Sequence, residues 1–95
     1  MEMICRILQQ HPLQTREYTD RNGQKQQFTA MGFVLASGSD TLFAEMTGEQ
    51  AVKQGKLDTS YYYKADLSMR SDSYTTERGE QRHGTRIYLN RSAVL

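Results

Sequence analysis

The sequence predicts an all-β protein, a small five-stranded barrel with one short helix, and three observations indicate this class. Residues 61–70 alternate between apolar and polar side chains, which is the period-two pattern of a half-buried strand. Turn signals at residues 20–23 and 37–40 separate this run from other short strand-like runs. The chain has 95 residues, of which 37% are hydrophobic, so we expect one domain over residues 1–95 with a modest core.

The five predicted strands lie between these turn signals. They cover Met3–Leu8, Gln24–Ala36, Thr41–Met46, Tyr61–Arg70 and Thr85–Asn90. Pro12 ends the first strand, because proline cannot donate a sheet hydrogen bond. The chain then continues through Thr15–Tyr18 into Asn22-Gly23, a pair that supplies the positive φ angles of a tight hairpin. The register of the first strand stays open, since its apolar residues do not alternate cleanly.

Two segments between the strands have signatures of their own. Thr47 and Gln50 fit a capping box, and Gly55 fits the residue that ends a helix. A helix of about two turns is therefore expected between the third and fourth strands. Residues 71–84 are polar and are expected to form a hairpin-type connection between the fourth and fifth strands.

Side-chain alternation assigns the strand residues to inner and outer faces. Tyr61 and Tyr63 share the face of Leu67, which predicts that both tyrosines line the barrel interior. The second strand is apolar on both faces, with Phe28, Ala30, Gly32 and Val34 on one and Thr29, Met31, Phe33 and Leu35 on the other. One of these two faces is therefore expected to meet a partner subunit or a ligand.

The predicted order of elements is strand, strand, strand, short helix, strand, strand. This is the order of the oligonucleotide-binding (OB) barrel. That fold binds oligonucleotides on its second and third strands and on the loops between strands 1 and 2 and strands 4 and 5. The fold class therefore makes nucleic acid the first ligand to consider.

Three stretches resemble the bacterial single-stranded DNA-binding proteins. Pro12–Gly23 contains the family's proline, Arg-Tyr-Thr and Asn-Gly, with Glu17 inserted after the arginine, and Phe28 takes the aromatic place in the next strand. Tyr61–Arg70 and Gly84–Asn90 resemble the family's fourth and last strands. A lone compact barrel also resembles the primosomal members and the short ones of phages or mobile elements. The resemblance implies single-stranded DNA binding and homo-oligomer assembly, with Tyr and Phe replacing the family's stacking tryptophans, because Trp is absent here.

Binding of single strands without sequence preference needs aromatic faces for the bases and cations along the backbone. Tyrosines stand beside cations on the outer faces of the fourth and fifth strands and in both loops that the fold uses. The expected phosphate-binding residues are Arg16, Arg21, Lys25, Lys64, Arg70, Arg78, Arg82 and Arg86. The expected stacking residues are Tyr18, Phe33, Tyr62, Tyr74 and Tyr88.

Each of these groups also has a purely structural interpretation. For Tyr62, an equally good interpretation is that its ring covers an exposed strand edge. Phe33 and Met31 fit a dimer interface better than a base platform. The charges of residues 78–91 fit a solvated hairpin, partly neutralised by neighbouring glutamates, and a charged hairpin also protects a sheet edge against aggregation.

Several classes of function find no support in the sequence. The net charge is +1, whereas a binder of duplex DNA usually carries a large positive balance. Cys5 is the single cysteine, which excludes an intramolecular disulfide and fits a reducing compartment. His11 and His83 show no paired-ligand spacing, and no nucleophile and base are placed together. We therefore expect no enzyme activity, no catalytic residues, no metal and no cofactor. No apolar run approaches the ~20 residues that span a bilayer, and we expect a cytoplasmic protein.

The function that we expect is binding of single-stranded DNA with little sequence preference, in replication, recombination or repair, by a dimer or tetramer. RNA stays open as the ligand, since nothing in the sequence reads a 2′-hydroxyl. The alternative is an OB-fold protein–protein interaction module of a replication or conjugation complex. The near-neutral charge and the two apolar faces of residues 24–36 favour that alternative. An enzyme subunit or a nuclease inhibitor has little in its favour.

Overall fold

Most of the chain is in β-strands. A computed structural model describes residues 1–95 except for the side chain of residue 72. The elements are β1 (Glu2–Gln10), β2 (Gln14–Thr19), β3 (Lys25–Ser37), β4 (Asp40–Thr47), α1 (Glu49–Lys53), β5 (Tyr62–Thr75) and β6 (Gln81–Val94). Among the described residues, no helix is long and apolar enough to cross a membrane.

Five of the strands close a barrel in the order β1-β5-β6-β4-β3-β1. All neighbours are antiparallel except β4 and β6, which meet in parallel at one pair, Glu45 and Tyr88. β1 corresponds to the first predicted strand, while β2 is a further strand where the sequence predicts a connection, and both pair with β3. The predicted all-β OB barrel is confirmed, with its helix between the third and fourth barrel strands.

The core is formed by the inward faces of the barrel strands. Its largest fully buried side chains are Phe33, Ile7, Leu35, Leu67, Leu89 and Cys5. Tyr63 is buried as predicted, and its hydroxyl donates to the carbonyl oxygen of Asp58 and accepts from the amide of the same residue, each at 2.9 Å. The prediction for Tyr61 is wrong: its side chain is 52% exposed. β5 begins only at Tyr62, so Tyr61 precedes the sheet and alternation does not apply to it.

The inward face of β3 carries Met31, Phe33 and Leu35. Phe33 is 0% exposed, so the prediction that it offers a stacking face is wrong. Its ring lies within the core that closure of the barrel creates, where neither a base nor a second subunit reaches it. The outer face of β3 is therefore the one with Phe28, Ala30 and Gly32.

Two hairpin arms extend from the barrel and give the molecule extents of 44 × 28 × 19 Å. Arm 1 is β2 with residues 25–30 of β3, and it turns around Asn22-Gly23 as predicted. Of this pair only Gly23 has a positive φ, 78°, so the expected positive φ of Asn22 is wrong. Arm 2 consists of residues 68–75 of β5 and 81–88 of β6. The predicted hairpin-type connection over residues 71–84 is a β-hairpin whose strands extend beyond the predicted ends and remain paired as far as Thr75 and Gln81.

The helix α1 forms where it is predicted but starts differently. Thr47 stays in β4, paired with Ala30, and Gly48 is the N-cap, with φ 75° and no side-chain hydrogen bond to the helix. The predicted capping box is therefore wrong, because the residue that should cap the helix is held in the sheet. Ala51 is fully buried and joins the helix to the core. Gln54 is the C-cap, so Gly55 occupies the C′ position after the helix, as predicted.

Candidate nucleic-acid interface

A groove of about 780 Å³ lies between the two arms on the outer surface of the barrel. Its lining comes from both arms, from the end of β4 and from the start of α1. It is formed by Arg16, Tyr18, Phe28, Glu45, Thr47, Gly48, Gln50, Ser68, Arg70, Arg86, Tyr88, Leu89 and Asn90. Among the described side chains that line it, three are arginines and one is a carboxylate, so the groove has a local excess of positive charge.

Arm 1 presents two predicted binding residues to the groove on one face. Arg16 pairs across the arm with Phe28, and Tyr18 pairs with Gln26, so that these four side chains project to the same side. The rings of Tyr18 and Phe28 meet edge to face, with centroids 5.8 Å apart. Tyr18 therefore lies on a strand rather than in the loop that the sequence predicts, and an aromatic neighbour holds its ring.

An ion pair crosses the floor of the groove. Nη1 of Arg16 lies 2.8 Å from Oε2 of Glu45, whose side chain is 17% exposed. Among the described residues, no donor meets Oε2 in hydrogen-bond geometry, so charge attraction is the contact that holds this enclosed oxygen. The small side chain of Ala30 lies between them on β3 and is buried. Glu45 thus engages Arg16 and places a negative charge on the groove floor.

Arm 2 lines the opposite side with a column of cations and aromatic rings. Ser68 pairs with Tyr88, Arg70 with Arg86, and further out Tyr74 pairs with Arg82. Because the separations between these pairs are two and four residues, all of them project to the same side of the arm. The guanidinium carbon of Arg70 lies 5.7 Å from the centroid of the Tyr88 ring, within the range of a cation–π contact.

The other predicted residues lie elsewhere. Arg21, Lys25 and Arg78 are exposed at or beside the tips of the arms. Tyr62 and Lys64 lie away from the groove, where β5 pairs with β1. The structure therefore brings together five of the predicted residues in the groove, which are Arg16, Tyr18, Arg70, Arg86 and Tyr88. Tyr74 and Arg82 lie farther out on arm 2, where Nη2 of Arg82 is 3.0 Å from a carboxylate oxygen of Glu80. The groove lining leaves out Arg21, Lys25, Phe33, Tyr62, Lys64 and Arg78.

Sequence reasoning missed three outward side chains on the same side of the barrel. Glu45 and Phe43 alternate with buried residues along β4, and Phe28 occupies the outer face of β3. For Phe43 and Glu45 the signal is the period-two pattern of β4, in which these two residues alternate with the buried residues Ala44 and Met46. For Phe28 the signal was the aromatic position of the family resemblance, which was not carried into the binding set.

The described residues contain no group of three His, Cys, Asp or Glu side chains that could hold a metal ion. Burial raises the pKa of the Cys5 thiol, so the buried sulfur stays protonated at neutral pH. No protein-family model and no curated protein matches the chain. What the groove can bind therefore follows from its own side chains.

Proposed function

We propose that the protein binds single-stranded nucleic acid in the groove between its arms. The observation that carries this proposal is the arrangement of Arg70 and Arg86 beside Tyr88 on one wall and Arg16 beside Tyr18 on the other. Cations interleaved with aromatic rings are what a single strand needs, since phosphates pair with the cations while unpaired bases stack on the rings. The groove also lies on the face and between the connections that OB folds use for oligonucleotides.

The position of Glu45 determines how the bound nucleic acid is oriented in the groove. Its carboxylate lies on the floor, while Arg70 and Arg86 stand on the arm 2 wall. Phosphates are repelled by the floor and attracted to the walls, so the bases point inward toward Tyr88 and Phe28. Asn90 donates to the Ser68 hydroxyl at 2.7 Å, so among the described neutral polar side chains of the lining Thr47 and Gln50 remain to meet base edges. Stacking and phosphate contacts therefore dominate the proposed binding, which fits a low sequence preference.

We propose single-stranded DNA as the ligand, in replication, recombination or repair in the cytoplasm, with a homo-oligomer as the working form. An oligomer that presents several grooves to one strand raises affinity, because each further contact becomes intramolecular. The overall charge of +1 makes the local arrangement decisive. Long-range attraction contributes little, and affinity depends on the groove contacts.

The experiment is fluorescence anisotropy with a labelled thymidine oligomer of about 30 nucleotides, which exceeds the site of one OB fold. Arg16 is engaged by Glu45, so Arg70 and Arg86, each neutralising one phosphate, predict a slope of about −1.4 in log K against log salt, from about −0.7 per contact on single strands. An unlabelled duplex of the same length should fail to compete. An absence of binding at micromolar protein and low salt would reject the proposal, and full competition by the duplex would reduce it to unspecific charge attraction.

A protein-interaction module is the second candidate. It is favoured by exposed apolar side chains on β1, where Ile4 and Leu8 are each more than half exposed. Two such side chains on one strand face are a modest patch. A protein that ignores the oligonucleotide but captures a defined replication or conjugation factor would select this function instead.

A further inference from the structure

Outside the groove, an aromatic ring packs closely against a glycine of the barrel surface. Phe43 of β4 projects outward and packs over Gly32 of β3, and His11 approaches from the connection between β1 and β2. The backbone amide of His11 donates to the carbonyl of Gly32 at 2.8 Å, which fixes that connection beside the ring. The rings of His11 and Phe43 are tilted by 59°, with centroids 6.0 Å apart.

Gly32 is what allows this contact. A Cβ atom there would lie 2.7 Å from Cζ and 2.8 Å from Cε2 of Phe43, closer than such atoms approach in real proteins. The backbone of Gly32 does not have a positive φ, so the need for glycine is the close approach of the ring and not an unusual backbone conformation. Although it is seated in this way, Phe43 keeps 49% of its surface exposed. The sheet surface thus contacts the Cζ and Cε2 side of the ring, and about half of the residue stays exposed to solvent.

The seated ring continues the groove. Phe43 and Glu45 project to the same side of β4, two residues and therefore about 6.7 Å apart. Gly32, which pairs with Glu45, is one step along the outer face of β3 from Ala30 beneath the groove's ion pair. A nucleic-acid strand that leaves the groove past Glu45 therefore meets the Phe43 ring next. The residues between them on this face are small, so nothing on β3 blocks the path.

We propose that Phe43, seated on Gly32 and flanked by His11, is a further base-stacking position that lengthens the binding track beyond the groove. The proposal rests on the proposed function, because it places a base of the same bound strand on this ring. A half-exposed aromatic ring with a fixed orientation loses little conformational freedom when a base stacks on it. The bound nucleic acid then runs from arm 2, across the Glu45 floor, to the outer surface of β3 and β4.

The test compares Phe43→Ala with the unchanged protein on thymidine oligomers of increasing length, from about 4 to about 16 nucleotides, the range of site sizes of single OB folds. Short oligomers that fill only the groove should bind both proteins equally. The longest should bind Phe43→Ala about 5-fold to 150-fold more weakly, from the contribution of one stacked base. A penalty that is equal at all lengths, or absent at all lengths, overturns the proposal.

A second variant tests the seat without removing the ring. Gly32→Ala places a methyl group against the edge of Phe43, and the half-exposed ring must swing away. We expect Gly32→Ala to weaken the longest oligomer and to leave the shortest unchanged. In the Phe43→Ala background the same substitution should have no further effect on binding, because the ring that it displaces is gone. Additive losses in the double variant would contradict the assignment.

Tyr88→Ala separates a failure of this inference from a failure of the proposed function. If Tyr88→Ala weakens binding at every length while Phe43→Ala does not, the groove is the site and the additional position is wrong. If the unchanged protein binds no oligomer, both proposals fall together. Sedimentation of each variant without nucleic acid is the remaining control. A change of oligomeric state in Phe43→Ala would overturn the stacking role and make the ring a subunit contact.

Discussion

The protein contains two arginine–tyrosine pairs of nearly equal geometry in different surroundings. In the groove, the guanidinium carbon of Arg70 lies 5.7 Å from the ring centroid of Tyr88. Where β1 pairs with β5, the same atom of Arg6 lies 5.8 Å from the ring centroid of Tyr62. We call this second region, with Glu2, Arg6, Tyr62 and Lys64, the β1–β5 face. Both regions border a concave surface, but the one between the two arms is larger, at about 780 Å³ against about 270 Å³ beside Glu2 and Lys64.

The charges of the two regions also differ. On the β1–β5 face, Nζ of Lys64 lies 3.0 Å from a carboxylate oxygen of Glu2, and this contact holds the pKa of the Glu2 carboxyl below its ordinary value. Arg6 donates to the carbonyl of Thr59 at 3.4 Å. In the groove, the described lining contains three arginines and one carboxylate, that of Glu45. A cation beside a tyrosine on a strand is common to both regions and does not distinguish them. The larger concave surface and the greater number of arginines than carboxylates in the described lining distinguish the groove.

The largest expected effect comes from truncating one tyrosine of each pair. Tyr88→Ala should weaken binding of a long thymidine oligomer by about 5-fold to 150-fold, because one stacking position is lost. Tyr62→Ala, at a ring that is 56% exposed, should leave the affinity unchanged. Fluorescence anisotropy titrations measure both. Tyr88→Phe keeps the ring and should keep the affinity.

Thermal unfolding followed by circular dichroism is the control for this comparison. Tyr88 is half-buried, so its truncation also costs some stability, and binding is compared at a temperature where both variants are folded. Equal losses of affinity in Tyr62→Ala and Tyr88→Ala would break the distinction between the two regions. The bound nucleic acid would then contact both the groove and the β1–β5 face, as the sequence alone predicts.

The order of strands could be predicted from the sequence because local signals determine it. Asn22-Gly23 produces the turn of arm 1, and Gly38, with φ 61°, produces the turn between β3 and β4. The alternation of residues 61–70 places Tyr63 in the core correctly. In each case the residues involved are neighbours in the chain, so the pattern carries the information.

The choice of face on β3 could not be predicted in the same way. Both faces are apolar, and the one that turns inward is decided by closure of the barrel against β1 and β4. The sequence therefore predicts Phe33 on the outer face, whereas Phe28 and Phe43 lie there and Phe33 is buried. The Arg16–Glu45 pair was also invisible, since it joins residues of two strands that do not pair with each other.

A smaller effect, of opposite sign, is expected at the carboxylate of the groove floor. Glu45→Gln removes the charge that repels phosphates and releases Arg16 to bind one. Affinity for the oligomer should rise about 2-fold to 5-fold, from the roughly 0.5–1 kcal/mol of one partly exposed ion pair. The slope of log K against log salt should steepen by about 0.7, the contribution of one phosphate contact. Anisotropy titrations at several salt concentrations give both values.

Glu2→Gln is the matched control, because it changes the net charge by the same amount and releases Lys64 on the β1–β5 face. It should raise the affinity little and leave the slope unchanged. If Glu45→Gln instead weakens binding, the ion pair positions Arg16 for its phosphate rather than competing with it. That result would sharpen the account of the groove, and equal effects of the two substitutions would reduce it to overall charge.

The smallest effect on binding is expected at two turn aspartates, Asp20 at the tip of arm 1 and Asp58 before the β1–β5 face. Asp20 accepts from the backbone amides of Gln24 and Asn22 at the tip of arm 1, and these hydrogen bonds, that from Gln24 foremost, lower the pKa of its carboxyl. Hydrogen bonds from Ser60, first from its hydroxyl, lower the pKa of Asp58 before the β1–β5 face. A carboxyl with a lowered pKa stabilises its turn above its ordinary pKa and loses that contribution as the pH falls through the folded value.

Asp20→Ala should therefore fray arm 1 at neutral pH and weaken oligomer binding by less than about threefold, since Arg16 and Tyr18 stay paired to β3 farther along the arm. Asp58→Ala should loosen its own turn and leave binding unchanged. Amide hydrogen exchange at neutral pH reports each turn, and anisotropy reports binding. As the pH falls below the lowered pKa of Asp20, its exchange protection in the unchanged protein should approach that of Asp20→Ala. A loss of affinity in Asp58→Ala as large as in Asp20→Ala would show that the strand is held on the β1–β5 face as well as between the arms.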